Sequence, residues 1–434
     1  MKFKQISEDF VQFVWKFGLF NQSLLQTTTG ENIQVVFPGE QNLAGGPDFF
    51  KSKVLIDDTL WVGTVEIHLT SKEWKTHKHK ADEAYNNLII HVVYEGKGEA
   101  IQLQNERIVP TLIIGHRVLN KTLKSYIHLL DYEEKFIPCK GLITTTDAFL
   151  FHHLYQVLSI ERLQHKIVEI EQDLFLTQGD LDMAFIRALF KHFGSPLNKG
   201  PFEILSRSFS LQQLTKQSHN NQQMESFLFG LANMLHNQDE YAKRLRDEFA
   251  FSKNLYQLQV HCKASTWKFA GARPANFPSI RLAQLSALLV KDSRPFTAIL
   301  GADGLQALYT IFDIELSPYW TAHYAFGKKG KLGTKNLSKS FKDKLVLNVV
   351  IPFLFFYGKY TEKEDYLTKS FQLLESIRAE KNTIVKGYRE LGFPCKNALE
   401  SQALIQLMNR YCKPKRCLEC KLGFHLLKSE LRKA

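Results

Sequence analysis

Apolar and polar positions give the first part of the chain a mixed helix and strand pattern. Residues 7–18 carry apolar side chains at helical spacing, and Ser7 is placed to cap that helix. Extended runs bounded by glycine, proline and aspartate turns predict strands at 33–37, 48–56, 60–69 and 87–94. A short helix is predicted at 78–85. The order is therefore helix, three strands, helix, strand.

From about residue 147 onward the apolar residues recur at helical spacing, with few strand-like runs. The clearest predicted helices lie at 151–170, 182–193, 222–249, 280–290 and 366–378. We expect an α/β domain at residues 1–138 and a mainly α-helical domain at 139–434. A chain of 434 residues exceeds one ordinary compact core, so two or three domains are the natural expectation. The predicted fold class is α+β.

Two acidic residues fall on neighbouring predicted strands. Glu66 and His68 are two positions apart on the third strand, so they share one face of it. Asp48 stands at the head of the adjacent strand, where it can approach Glu66. Converging carboxylates suit a hard divalent cation, which can activate water and neutralise charge on a phosphodiester. The pattern predicts a Mg²⁺ or Mn²⁺ site at Asp48 and Glu66.

This arrangement resembles that of restriction-endonuclease-like (PD-(D/E)xK) nucleases. Their core is a helix, three strands, a helix and a strand, with a Pro-Asp pair and then an acidic residue, any residue and a lysine. Here Pro47-Asp48 and Glu66-x-His68 occupy these places, and Glu8 matches an additional acid on the first helix. The resemblance implies that Asp48 and Glu66 hold the cation, Glu8 assists and His68 positions water. The departure is His68, where that family usually has lysine.

A stretch rich in histidine and lysine follows the third strand. His77 and His79 have the spacing of metal ligands on a strand or loop, and Asp82 can join them. The alternative is a polar loop that caps a helix. Lys72 is near enough to replace the missing lysine, whereas His91 is expected to be an ordinary buried histidine. We therefore treat Lys72, His77, His79 and Asp82 as accessory residues.

Longer segments resemble an uncharacterised bacterial family of unknown function, DUF2851. They are the segment that begins GGPDFFKSKVL and ends NNLIIHVV, then RPANFPSIRLAQL, SPYWTAHYAFGK and ESQALIQLMNRYCKPKRCLECKLG. These segments are spread over nearly the whole chain. The resemblance implies a shared architecture and no particular activity.

Four of the six cysteines lie near the C-terminus: Cys395, Cys412, Cys417 and Cys420. The Cys-x2-Cys pair at 417 and 420 lets two thiolates hold one ion from a tight turn. Cys412 and Cys395 would complete four ligands, with His425 as a substitute for the fourth. Four thiolates suit Zn²⁺ or an iron–sulfur cluster, and spacing does not choose between them. The alternative is a terminal hairpin whose cysteines hold no metal.

The charge balance favours a nucleic-acid partner. Lysine and arginine number 56 against 44 acidic residues, which gives a net charge of +12. Lys328, Lys329 and Lys331 follow an aromatic segment, as in tracks that bind a single-stranded or distorted backbone. Arg273 and Arg281 flank a stiff turn and could bind phosphate. A solvated loop and structural ion pairs are the respective alternatives.

Three functions stay open on these patterns. The first is a metal-dependent nuclease that acts on DNA. The second, favoured by His68, is a nucleic-acid-binding protein with a decayed catalytic core, and the third is an interaction scaffold with a metal-stapled helical domain. The sequence predicts no membrane span and no secretory signal, so we expect a cytoplasmic protein without a membrane partner. Oligomeric state and substrate preference are left undetermined.

Overall fold

The structure, a computed structural model, describes residues 6–42, 45–77, 79, 82–130, 136–143, 148–194 and 196–428. The chain forms two compact units. The first unit runs to Leu154 and also includes Glu390–Gly392 and the segment from Ile405 onward. The second unit comprises Tyr155–Arg389 and Phe393–Leu404. The predicted division after residue 138 differs from this one, because the C-terminal segment belongs to the first unit.

The described chain is mixed α+β, with a sheet in the N-terminal region and helices after it. Its strands are β1 Leu25–Gln26, β2 Asn32–Phe37, β3 Glu40–Gln41, β4 Phe49–Ile56, β5 Thr59–Thr70, β6 Leu88–Glu95, β7 Ile101–Gln102, β8 Ile108–Val109, β9 Thr111–Ile113, β10 His323–Ala325 and β11 Lys328–Lys329. Its α-helices are α1 Glu8–Phe17, α2 Lys72–Thr76, α3 Asn120–Leu130, α4 Ala148–Leu176, α5 Leu181–Phe193, α6 Lys199–Ser206, α7 Leu211–Thr215, α8 Asn221–Leu231, α9 Glu240–Leu255, α10 Pro278–Lys291, α11 Pro295–Gly301, α12 Gly304–Ile311, α13 Tyr319–Ala322, α14 Lys339–Leu345, α15 Ile351–Tyr360, α16 Glu364–Ser376, α17 Thr383–Glu390, α18 Ala398–Leu407 and α19 Lys421–Lys428. Two π-helical turns, Val346–Val350 and Met408–Cys412, continue α14 and α18.

Helix α1 forms where its apolar spacing predicts it. Ser7 caps it, since its hydroxyl accepts a hydrogen bond from the Phe10 N–H. Gly18 ends it in the left-handed conformation with φ 61°. The apolar face of α1 packs against β5, and Phe10, Val11 and Val14 are fully buried. This packing holds α1 across the centre of the sheet.

One sheet in the first unit carries the order β1-β2-β4-β5-β6-β9, with β3 beside β4. β2, β4 and β5 pair antiparallel, whereas β5–β6 and β6–β9 are parallel. The register places Phe49 opposite Val65, so Asp48, one residue earlier, lies beside Glu66. On the other edge of β5, Glu66 pairs with His91 of β6. The sheet thus gathers acidic and histidine side chains at one point.

The predicted short helix at 78–85 is displaced. The structure has α2 at Lys72–Thr76 and a 3-10 turn at Glu83–Tyr85. The carboxylate of Glu73 accepts hydrogen bonds from the last N–H groups of β5, Leu69 and Thr70, so the helix begins directly after the strand. Lys78, Lys80 and Ala81, which the prediction included, lie outside the described residues.

The second unit is a helical assembly with a small β10–β11 hairpin. The helix predicted at 222–249 is two helices, α8 and α9. Asn233 adopts the left-handed conformation with φ 55° and the Met234 N–H bonds back to the Phe229 carbonyl, which closes α8. A buried carboxylate, Glu225, accepts hydrogen bonds from three side chains of this unit. In the described part of the chain, no helix has the length and apolar character to cross a bilayer.

Candidate active site

Asp48 and Glu66 lie side by side where β4 and β5 pair. The Asp48 N–H donates a hydrogen bond to Glu66 Oε2 at 3.1 Å. The Ile67 N–H donates to Asp48 Oδ2 at 2.8 Å, and Gln12 on α1 donates through Nε2 to Asp48 Oδ1 at 2.8 Å. These bonds orient two adjacent carboxyl groups toward the same region.

Burial and mutual repulsion perturb these acids. Burial, helped by the charge of Glu8 and opposed by the hydrogen bond from Ile67, raises the pKa of Asp48 to about 7. Burial, then the charge of Asp48, raises the pKa of Glu66 to about 9. Burial also raises the pKa of Glu8, which is half-buried. The three predicted acids therefore repel one another when ionised, and a bound cation would reduce that repulsion.

Two histidine rings lie close to the buried Glu66 carboxylate. Nε2 of His68 lies 3.5 Å from Glu66 Oε1, and Nε2 of His79 lies 3.3 Å from it. Within the residues that the structure describes, neither Nε2 atom has a hydrogen-bond partner, although both are shielded from solvent. His77 joins them, because the three imidazoles offer ligand atoms within 4.8 Å of one another. This is a nitrogen-rich donor set beside a carboxylate.

His68 is held as a neutral imidazole. Its Nδ1 lies 2.9 Å from Nε2 of His91, and Nδ1 of His91 lies 3.3 Å from the Thr111 hydroxyl. Burial, then the neighbouring His91, lowers the pKa of His68 to about 3. His68 therefore cannot supply the positive charge of a lysine, but it can present a neutral nitrogen to a cation. His91, expected to be an ordinary buried histidine, is the partner that orients it.

The other accessory residues have different places. Asp82 is exposed and caps the 3-10 turn, accepting a hydrogen bond from the backbone two residues on. Lys72 is exposed and lines a separate groove. Two residues that the sequence did not single out contact the site. Gln12 bonds Asp48, and the Tyr85 ring lies 4.3 Å from the His79 ring.

A cleft of about 860 Å³ opens beside Asp48. One wall is the polar side of α1, and the other is the loop from Pro414 to Leu418 with the start of α19. The cations that line it are Lys16, Lys415, Arg416 and Lys421. Arg416 also pairs with Glu419, its Nε donating to Oε1 at 2.6 Å. The cleft thus places these cations, together with the acids Asp9 and Glu419, near Asp48.

Comparison with known proteins bears on this site. The DUF2851 family model, described as a protein of unknown function, matches residues 8–383. The chain belongs to the DUF2851 family. No curated protein and no solved structure matches it. The matched range contains the acids and histidines of the candidate site and ends before the C-terminal cysteines. The family description assigns no activity.

The five predicted nucleic-acid contacts of this DUF2851 protein all belong to the second unit: Arg273, Arg281, Lys328, Lys329 and Lys331. Arg281 is committed to structure, since it donates to Gln284 and stacks 3.7 Å from the centre of the Phe341 ring. Burial lowers its pKa to about 10. The other four are exposed, with Lys328 and Lys329 forming β11.

The predicted thiolate ligands of the DUF2851 chain are divided between the units. Cys412, Cys417 and Cys420 belong to the first unit. Cys395 belongs to the second, where its carbonyl accepts a hydrogen bond from Arg389. Cys139, which the spacing did not select, lines one small cavity together with the first three, and Cys395 is not among its lining residues.

Proposed function

We propose that this DUF2851 protein is a metal-dependent phosphodiesterase that cleaves nucleic acid, with DNA as the first substrate to test. The observation that carries the proposal is the Asp48–Glu66 pair. The buried Glu66 carboxylate accepts a hydrogen bond from the backbone N–H of the partly buried Asp48, and both carboxyl groups have raised pKa values. Paired acids of this kind are costly in a fold without a cation and are typical of metal-assisted chemistry.

Fold order supports the same proposal. The sequence of elements α1, β2, β4, β5, α2 and β6 follows that of the restriction-endonuclease-like core. Asp48 precedes the second of these strands, and Glu66 lies inside the third. Glu8 stands in the first turn of α1 and interacts electrostatically with both acids. We therefore assign the first unit to that fold as part of the proposal.

The side chains present fit a divalent cation. Asp48 and Glu66 offer carboxylate oxygens, and His68 and His79 offer nitrogens without hydrogen-bond partners among the described residues. Mixed nitrogen and oxygen ligands suit Mn²⁺ better than Mg²⁺, which prefers oxygen ligands and water. When bound, the cation would supply an activated water and offset charge on the phosphate.

The remaining groups have roles that follow from their positions. His91 fixes the orientation of His68, and Gln12 fixes that of Asp48. Glu8 adds negative charge that favours cation binding. Lys415 and Lys421 line the cleft beside Asp48, where they would hold the phosphates that flank the cleaved bond.

The test is cleavage of labelled single-stranded, duplex and branched DNA, and of RNA, with Mn²⁺ or Mg²⁺. We expect cleavage that is stronger with Mn²⁺ and absent in Asp48→Ala and Glu66→Gln. Asp58→Asn, in the exposed turn between β4 and β5, is the matched control and should cleave normally. Cleavage that survives in Asp48→Ala would exclude this site as its source.

One observation favours a second candidate, nucleic-acid binding without cleavage. His68 is neutral, so the position that carries a lysine in restriction-endonuclease-like enzymes has no positive charge. This candidate predicts salt-sensitive DNA binding with no product under either cation. A cytoplasmic location belongs to both candidates and stays a prediction.

A further inference from the structure

A second group of side chains in the first unit has the composition of a metal centre. Cys139, Cys412, Cys417 and Cys420 line one small cavity. Three of these cysteines are buried, and Cys417 is partly exposed. The rest of the lining is mainly apolar, with Leu129, Pro138, Leu407 and Leu422 among it. Sulfur is therefore the main ligand atom that this cavity offers.

The backbone brings the four cysteines together from two distant parts of the chain. Cys139 lies in a turn after α3, where the Leu142 N–H bonds to the Cys139 carbonyl at 3.0 Å. Cys412 ends the π-helical turn that follows α18. π-Helical turns cost stability and are frequent at functional sites.

The loop after Cys412 is tightly constrained. Lys415 adopts a positive φ of 60°, and the Arg416 N–H returns to the Tyr411 carbonyl at 2.9 Å. The Cys420 N–H bonds to the Cys417 carbonyl at 3.3 Å, which forms the tight turn of a Cys-x2-Cys pair. Any side chain at position 423 would meet that same carbonyl, because a Cβ on Gly423 would lie 2.1 Å from it. The turn is thus pressed onto the start of α19.

None of the described residues that line this cavity is cationic. Its lining would therefore offer no positive charge to four thiolates, and a bound metal would neutralise their charge and release their protons.

The separation of the sulfurs indicates the kind of metal. In a tetrahedral zinc site the Zn–S distance of about 2.3 Å places sulfurs only about 3.8 Å apart. Across the described ranges of the chain, three ligand atoms come within 4.8 Å of one another only in the histidine group at 68, 77 and 79. No three of the four described cysteine sulfurs therefore lie within 4.8 Å of one another, which is a wider spacing than a zinc site requires, and the four cysteines line one small cavity.

We propose that Cys139, Cys412, Cys417 and Cys420 bind an iron–sulfur cluster through four thiolates. The fourth ligand is Cys139, and not Cys395 as spacing alone suggests. The cluster would fix the loop that carries Lys415 and Arg416 along the wall of the Asp48 cleft. Only this last consequence rests on the proposed function.

The test is the metal content of the full chain purified without oxygen. We expect a visible absorption band with about four iron and four sulfide per chain. Cys139→Ser should lose both, whereas Cys395→Ser and Cys262→Ser, which change buried cysteines outside the group, should keep both. Loss from Cys395→Ser with retention in Cys139→Ser would overturn the ligand assignment. A colourless protein with one zinc would overturn the cluster, and a chain that takes up neither metal would overturn the site.

A second measurement covers the case in which Cys139→Ser does not fold. Removal of the metal from the wild-type chain should increase alkylation of Cys417, the partly exposed member of the group, as read by mass spectrometry. Unchanged alkylation would contradict the proposal. DNA binding is measured in parallel at several salt concentrations. Loss of the cluster should lower the slope of log affinity against log salt concentration (the salt slope) by about 2, because Lys415 and Lys421 leave the cleft. Metal content does not depend on nuclease activity, so failure of either proposal is distinguishable from failure of the other.

Discussion

Replacing Asp48 by asparagine removes one of the two neighbouring acidic groups while keeping the shape of the side chain. Asparagine can still accept the hydrogen bond from the Ile67 N–H, and Gln12 can turn its amide to accept from the new NH₂ group. The backbone bond from residue 48 to Glu66 is unaffected. The substitution therefore tests charge with little change in packing.

The magnitude follows from the two perturbed acids. Folding raises the pKa of Asp48 from 3.8 to about 7 and that of Glu66 from 4.5 to about 9. A raised folded pKa stabilises the protein fully below the unfolded pKa, and this stability is lost as the pH rises through the folded pKa. Between about pH 5 and 7 each acid lowers the free energy of unfolding by up to about 1.4 kcal/mol per pH unit.

Asp48→Asn removes the pH-dependent loss of stability that comes from Asp48 and reduces the loss that comes from Glu66. The rise in the pKa of Asp48 from 3.8 to about 7 sets an upper limit of about 4 kcal/mol on the cost of ionising Asp48 at pH 8, and the partial solvent exposure of Asp48 reduces this cost. We therefore expect the metal-free variant to be roughly 1–3 kcal/mol more stable than wild type at pH 8, with little difference at pH 4. Each kcal/mol corresponds to a rise in Tm of about 2–4 °C for a unit of this size.

The assay is thermal unfolding of the metal-free protein at several pH values, repeated with Mn²⁺. Wild type should lose stability as the pH rises and regain it with Mn²⁺, whereas Asp48→Asn should show a shallower pH dependence and a smaller gain. Asp58→Asn makes the same chemical change in an exposed turn and should match wild type. A variant that is less stable than wild type at pH 8 without metal would show that the Asp48 carboxylate is a structural group, which would refute the reasoning.

Three further predictions concern the metal affinity of the acidic pair, a buried carboxylate in the second unit and a lysine of the cleft. Calorimetric Mn²⁺ affinity should increase from pH 6 to 9, because binding must displace protons from Asp48 and Glu66; an affinity independent of pH would contradict their role as ligands. Glu225→Ala should cost about 3–5 kcal/mol in urea unfolding, since it removes the acceptor of the buried Ser317 and Trp320 donors and of Tyr241, and Glu225→Gln should cost clearly less. Lys415→Gln should reduce the salt slope of DNA binding by about 1, whereas Lys97→Gln, in the separate groove, should not change it.

The local spacing of apolar residues was enough to predict the positions of the main helix and strands of the first unit. Helix α1 and strands β4, β5 and β6 lie within a few residues of their predicted ranges, because each has a strong period and a defined stop. The helix predicted at 222–249 failed because periodicity does not register a single residue, Asn233, that turns to positive φ. The helix predicted at 78–85 failed because Glu73 caps the strand end and starts a helix earlier.

The candidate site likewise has features that the sequence predicts and features that it does not. The period of two on β5 placed Glu66 and His68 on one face, and the hairpin brought Asp48 to them. The link from His68 to His91 and the grouping of Cys139 with the C-terminal cysteines depend on tertiary structure. Nothing in the spacing along the chain selects Cys139 over Cys395. Such pairings become visible only when distant segments are placed in one unit.

The two candidate metal centres of the first unit differ in donor chemistry, and this difference makes them separable. Glu66 and the histidines offer oxygen and nitrogen, which suit Mn²⁺, whereas the four cysteines offer sulfur, which suits softer metals. Each centre has one member at the same cleft, since Asp48 and Cys417 both line it. Loss of the cysteine-bound metal should therefore change the affinity of the cleft for a phosphate backbone. Loss of the Asp48 carboxylate should instead change the rate at which that backbone is cleaved. Variants of the two groups would thus separate binding from chemistry within one unit.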